Sequence, residues 1–211
     1  LLRQLKAEFI GYLQQNIILY LIIIFVFLSG ITSGAFTVGS MSSYQKENLG
    51  AFLGQFFNTV SNQPVDNGAI LFESLWQHLQ SVFLIWLCGL FFIGIPVTLI
   101  VMVVRGFLIG FTVGFLVGNY GLGGFLFSLI CILPQTVVYV LCYITMGAFS
   151  LEYAIEGFKR RKIPYSRDEK LNRALPYTVK IFLLFLVLSV GSLFEAFIVP
   201  VFFRFFTWIF V

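Results

Sequence analysis

The chain has 211 residues, of which 59% are hydrophobic and only 10% charged, with a net charge of +4 and a mean hydropathy of +0.97. A soluble domain carries about 25% charged residues, so this chain has too few to cover a water-facing surface, and its long apolar runs mark a polytopic membrane protein. The three cysteines, Cys88, Cys131 and Cys142, lie inside apolar runs without CxxC spacing; packing roles are expected for them, not a disulfide or a metal site.

Residues 1–16 mix Arg3, Lys6 and Glu8 with Leu2, Leu5 and Phe9, an amphipathic lead-in suited to a membrane surface. Residues 17–38 contain no charge and form the first expected span; the run reads as a span, not as a cleavable signal. Gly30, Gly34 and Gly39 near its far end give it a small-residue face, a candidate partner for the glycine series further along the chain.

Residues 39–78 are expected to form an amphipathic helical hairpin on the outer side. Leu49, Phe52, Leu53, Phe56, Phe57 and Val60 recur at helical spacing. Ser42 and Gln45 fit a capping box at the start of this helix, and residues 62–68 carry turn chemistry at its end. Two readings stand for the apolar face: it rests on the bilayer or the other spans, or it docks an extracytoplasmic partner.

Residues 79–104 are the second expected span, kinked at Pro96. Gly106, Gly110, Gly114 and Gly118 then fall four residues apart, a ridge without side chains along one helical face. Residues 106–124 form a third expected span, either tilted or the first arm of a broken helical hairpin. Residues 125–149 form a fourth, interrupted at Pro134. Its neighbour Gln135 is expected to satisfy backbone groups freed by that break. Two separate glycine faces in one small chain also suggest a homodimer, one face packing internally and the other against a second copy.

Residues 150–180 form a basic loop, residues 181–199 the last expected span, and residues 201–211 an interfacial tail with Arg204 and Trp208. If the N-terminus, Arg105 and the 150–180 loop are cytoplasmic, 11 of the 13 Lys and Arg residues lie inside. The positive-inside rule then gives five crossings, N-terminus cytoplasmic and C-terminus extracytoplasmic, in an all-α bundle with a Gly/Pro-broken centre.

An ionisable residue in a span is a functional candidate by default. Glu195 is read either as an anchor to a buried partner (Arg105, Gln135, Asn119 or a helix N-terminus) or as a carboxylate near the outer headgroups. Arg105 is read either as an anchor packed between helices or as an inside-facing interfacial charge. His78, the only histidine, has no metal-binding companions in the sequence and is read as a polar residue at a span boundary. No metalloprotease, serine-hydrolase or Walker A pattern is present, so no catalytic residue, metal or cofactor is expected, and no nucleic-acid partner.

Phe52-Leu-Gly-Gln-Phe-Phe57, Gln77-His-Leu79, Arg105-Gly-Phe-Leu-Ile-Gly-Phe-Thr-Val-Gly-Phe-Leu-Val117 and Leu133-Pro-Gln135 together resemble the stage II sporulation protein M family of endospore-forming bacteria. Glu195-Ala-Phe-Ile-Val-Pro200 resembles a signature late in the wider family. The resemblance implies a non-enzymatic scaffold in the mother-cell or septal membrane. That scaffold recruits and positions two peptidoglycan-degrading enzymes, stage II sporulation proteins D and P, during engulfment. A transporter or channel built on an export-transporter-like membrane domain is the alternative.

Overall fold

The computed structural model describes residues 16–62, 66–91, 94–159 and 167–202, with side chains throughout except at 56–62 and 167–170. Six α-helices make up almost all of it: α1 (Ile17–Ser40), α2 (Ser43–Asn62), α3 (Asn67–Gly89), α4 (Gly94–Phe127), α5 (Leu133–Lys159) and α6 (Arg167–Phe197). A π-turn, Ser128–Ile132, joins α4 to α5. No strand occurs among the described residues. Ile17–Ser40, Gly94–Lys159 and Leu171–Phe202 are long and apolar enough to cross a membrane.

Local chemistry sets the helix starts. The Ser42–Gln45 capping box forms as expected: Gln45 N donates to Ser42 Oγ (3.3 Å) and Ser42 N to Gln45 Oε1 (3.0 Å). Asp66 caps α3, its Oδ1 accepting from Gly68 N (2.9 Å) and Ala69 N (3.2 Å).

The expected span 79–104 is not one span. It comprises the end of α3, a tight connection and the start of α4. Leu90 N and Phe91 N donate back to Leu87 O and Cys88 O at 3.1 Å, and a Cβ on Gly94 would collide with the Cys88 carbonyl. Only glycine lets the chain reverse so tightly there. Pro96 therefore sits in the first turn of α4, where its missing N–H costs no helical bond, instead of kinking a mid-span.

The next expected boundary moves too. α4 runs without interruption through Arg105 and breaks at Gly121, whose φ of 55° and ψ of −131° reverse the chain. A Cβ on Gly124 would strike the Leu116 carbonyl, although residues eight apart in a straight helix are ~12 Å apart. The glycine ridge is thus not a short span of its own, because α4 begins twelve residues earlier than 106, at Gly94. Beyond the reversal, Leu133 N bonds to Ser128 O across the π-turn. The wider turn absorbs the defect at Pro134, and helix continues through it.

Helix directions follow from the contacts. The Gly30 and Gly34 positions meet Val103 and Phe107, Gly114 meets Ala35 and Gly118 meets Val38, so α1 and α4 run parallel. Arg105 reaches back to Gln77, so α3 and α4 are antiparallel. Ser74 meets Ser192 while Trp86 meets Thr178, making α6 antiparallel to α3. Asn16 donates to Glu152 at 3.1 Å, which joins the start of α1 to the end of α5. One end of the bundle therefore holds the α3–α4 connection and the facing ends of α5 and α6. The other holds α2 and the Gly121 reversal.

The core lies where α1, α3, α4, α5 and α6 converge, with Ile23, Ile85, Met102, Met146 and Leu188 fully buried. Phe25, Phe36, Leu108, Leu122 and Val190 point outward, the apolar exterior expected of a chain solvated by lipid. Near the α3–α4 connection, Tyr177 OH donates to Trp86 O (3.1 Å) and Ser150 Oγ to Ile85 O (3.1 Å). These hydroxyls satisfy carbonyls of the last turn of α3.

The 150–180 segment also differs from a loop. α5 extends helically to Lys159 and α6 begins at Arg167, and Arg173 pairs with Glu156 at 3.3 Å. The last helix thus starts well before residue 181. The lead-in 1–15 and most of the 201–211 tail lie outside the described residues.

Candidate functional site: a polar cleft inside an apolar bundle

The two glycine faces pack against each other. A Cβ on Gly30 or Gly34 would collide with the carbonyls of Val103 or Phe107, and one on Gly106 or Gly110 with those of Phe27 or Ile31. Contact loosens outward: a Cβ on Gly114 would lie 3.1 Å from Ala35 Cα, and one on Gly118 only 3.8 Å from Val38 Cγ1. Such approach of two backbones is what small residues permit in lipid. Both faces are used within one chain, so the two-face argument for a homodimer loses its premise.

Of the outer hairpin face, Leu53 packs against Leu116, Phe127 and Cys131, while Phe52 is 65% exposed. Leu49 is half-buried. The side chains of Phe56, Phe57 and Val60 lie outside the described residues. α2 thus rests on the reversal of the α4 chain through one edge and presents another outward. The second arm of the expected hairpin is the first half of α3, a helix that descends into the bundle.

That descent carries polar residues inside. A cleft of about 430 Å³ is lined by Ala69, Ile70, Glu73, Ser74, Gln77 and His78 of α3, Arg105 of α4, Tyr139 of α5 and Glu195 of α6. Glu195 Oε2 accepts from Ser74 Oγ at 2.7 Å and from Tyr139 OH at 2.8 Å. Ser74 Oγ lies 3.0 Å from Ser192 Oγ. Arg105 Nη2 donates to Gln77 O at 3.0 Å and to Ser81 Oγ, and its guanidinium carbon lies 4.9 Å from the Tyr143 ring centroid. His78 Nδ1 is 2.8 Å from Tyr143 OH, and its ring centroid is 4.3 Å from that of Tyr139.

These contacts revise several expectations. Of the two readings of Arg105, the contacts fit the anchor packed between helices: it lies mid-helix in α4 and its side chain bonds to α3. His78 lies not at a helix end but in the buried middle of α3, ~16 Å along the helix from Gly89. Glu195 is anchored, but by hydroxyls and not by Arg105, Gln135 or Asn119. Gln135 is 91% buried with its amide oxygen unbonded among the described residues, so that oxygen satisfies no backbone donor.

Ser74, Ser81, Tyr139, Tyr143 and Ser192 were not singled out by sequence reasoning. Their signal was present as spacing: Ser74 and His78 are four apart, as are Gln135, Tyr139 and Tyr143, and Ser192 precedes Glu195 by three. Each set shares a helical face. Hydroxyls and aromatics are too common in membrane helices for such spacing to stand out unaided.

Among the described residues, no group of His, Cys, Asp or Glu has the arrangement of a metal site. The cleft presents carboxylate, guanidinium, hydroxyl and imidazole groups, suited to holding a polar ligand. The model of the family described as Stage II sporulation protein M matches residues 23–200. No curated protein and no solved structure matches.

Proposed function

This chain belongs to the stage II sporulation protein M family, its match covering more than four-fifths of the sequence, and on that premise we propose that it is a non-enzymatic membrane scaffold for cell-wall hydrolases. It recruits and positions stage II sporulation proteins D and P during engulfment. It sits in the mother-cell or septal membrane with α1, α3, the two arms about Gly121 and α6 as five crossings. The N-terminus is cytoplasmic, and α2 and the C-terminus are extracytoplasmic. Lys159–Lys162 and the basic start of α6 then lie inside, in keeping with the positive-inside rule.

The observation that supports this reading most directly is α2, an amphipathic helix at the end of the bundle. It is seated through Leu53 and leaves Phe52 outward. An exposed aromatic beside a fixed apolar edge suits a partner that works at the membrane surface. The test is co-purification of both enzymes with the membrane-embedded chain, followed by crosslinking from single-cysteine positions in 39–78. Phe52→Asp is expected to abolish capture while leaving the melting temperature of the bundle unchanged. Normal capture by that variant removes α2 from the docking surface.

A second reading, solute passage, draws support from the polar cleft. It requires flux in proteoliposomes that falls in Glu195→Gln, and no flux in the intact protein rules it out.

A further inference from the structure

Arg105 and Glu195 line the same cleft without pairing. Among the described residues, no carboxylate lies within salt-bridge distance of Arg105, and no cation lies within that distance of Glu195 or Glu73. The hydrogen bonds of Arg105 to Gln77 O and Ser81 Oγ both come from Nη2, and a guanidinium's five N–H donors exceed what those two acceptors and the adjacent Tyr143 hydroxyl can take. Oε2 of Glu195 is engaged by two hydroxyls, and among the described residues Oε1 has no hydrogen-bond partner. One oxygen of Glu73 accepts from Gln77 Nε2 at 3.0 Å.

A charge within an apolar bundle is costly unless something compensates it. Two opposite charges that share an opening would ordinarily lower that cost by closing on each other. Here each is held back by its own neighbours: Gln77, Ser81 and Tyr143 hold the guanidinium, and Ser74 and Tyr139 hold the carboxylate. The cleft of about 430 Å³ stays between them. The arrangement leaves bonding capacity of both signs facing one space.

We infer that this cleft binds a small zwitterion, a primary ammonium joined by a short linker to a phosphate or carboxylate. The oxyanion faces Arg105, whose planar fork suits two-point contact with either group. The ammonium faces Glu195 and Glu73, which together offer acceptors for its three donors. Two acids against one guanidinium favour a ligand whose amine end is always charged. The chemistry belongs equally to a phosphoethanolamine lipid headgroup and to a free amino acid or amino phosphate. The inference concerns the cleft alone and does not depend on recruitment of a hydrolase.

The test uses the full chain in phosphatidylglycerol nanodiscs and follows its melting temperature without any partner enzyme. Phosphatidylethanolamine is added to the bilayer in one arm; soluble phosphoethanolamine or glycine is titrated in the other. A rise of roughly 5–10 °C at a hundredfold excess over Kd is expected in at least one arm. The bilayer arm alone identifies a lipid headgroup and the soluble arm alone a free solute. Arg105→Gln and Glu195→Gln are expected to weaken binding at least about tenfold. Glu73→Gln, at an exposed position that the fold tolerates, is expected to weaken it about threefold. Glu47→Gln on α2 serves as the unaffected control. Phosphatidylcholine, which has no N–H, is expected to give a smaller shift. No shift in either arm, an equal shift with phosphatidylcholine, or binding unchanged in Glu195→Gln and Glu73→Gln would overturn the inference.

Discussion

The seam between α1 and α4 and the cleft among α3, α4, α5 and α6 are two ways of holding a bundle together in lipid. The seam joins two parallel helices through Gly30, Gly34, Gly106 and Gly110, with backbone against backbone and little side chain between. The cleft joins four helices through Ser74, Arg105, Tyr139 and Glu195, with space left between them. Lipid tails provide no hydrophobic drive for helix association, so close packing and hydrogen bonding must supply it. The seam uses the first almost alone and leaves no room for a ligand. The cleft uses the second and encloses a volume.

The largest effect that separates the two regions is expected at the seam. Gly110→Leu or Gly34→Leu places a side chain where a carbonyl already stands, and no rotamer escapes backbone. Loss of the monodisperse folded species in size-exclusion chromatography is expected, beyond the ~1–3 kcal/mol of ordinary overpacking. A folded Gly110→Leu protein would show that α1 and α4 do not pack this way. Gly118→Ala is the internal contrast, with melting expected to stay within about 0.5 kcal/mol of the parent, because the nearest atom leaves room for a methyl group. Gly114→Ala is expected to fall between these limits, so destabilisation should decrease from Gly110 through Gly114 to Gly118. The tightest point is Gly110, on the Arg105 side of the middle of the glycine series.

At the cleft, smaller losses are expected. Tyr139→Phe removes one of two hydroxyls that bond Glu195 and is expected to cost ~1–3 kcal/mol in chemical denaturation. Ser74→Ala is expected to act similarly, and the double variant to show less than the sum, because both hydroxyls hold one carboxylate oxygen. Full additivity would mean that Glu195 is not shared between them. Gly121→Ala, between the regions, is expected to cost about 1–2 kcal/mol from backbone conformation alone. No atom lies within 4 Å of its added Cβ, so a larger loss would point to a contact and not to strain.

The seam was more legible in sequence than the cleft. A four-residue glycine series declares a smooth helical face whatever it touches, and Gly30 and Gly34 declare a second one. That the two faces meet each other, in parallel, is a fact of topology. Two reversals, at residues 90–94 and at Gly121, bring it about. The first leaves no mark in the sequence, because apolar residues continue on both sides of it and periodicity does not register direction; the second is expected a few residues late, at the 124/125 boundary. The sequence alone presents the first as part of one span and its Pro96 as a kink. Arg105 resembles the end of a helix in the sequence, since an isolated charge after an apolar run looks like a boundary when the partner helix is unknown.

The sequence by itself determined the medium, the helical class, the family and the residues that permit close packing, because composition, period and glycine spacing are local properties. Tertiary structure alone decided which apolar runs are single helices, which glycine face meets which, and that His78, Arg105 and Glu195 border one space. The physical reason is that each of those outcomes depends on where the chain reverses. A reversal takes two or three residues, whereas the residues it brings together here lie as much as 136 positions apart.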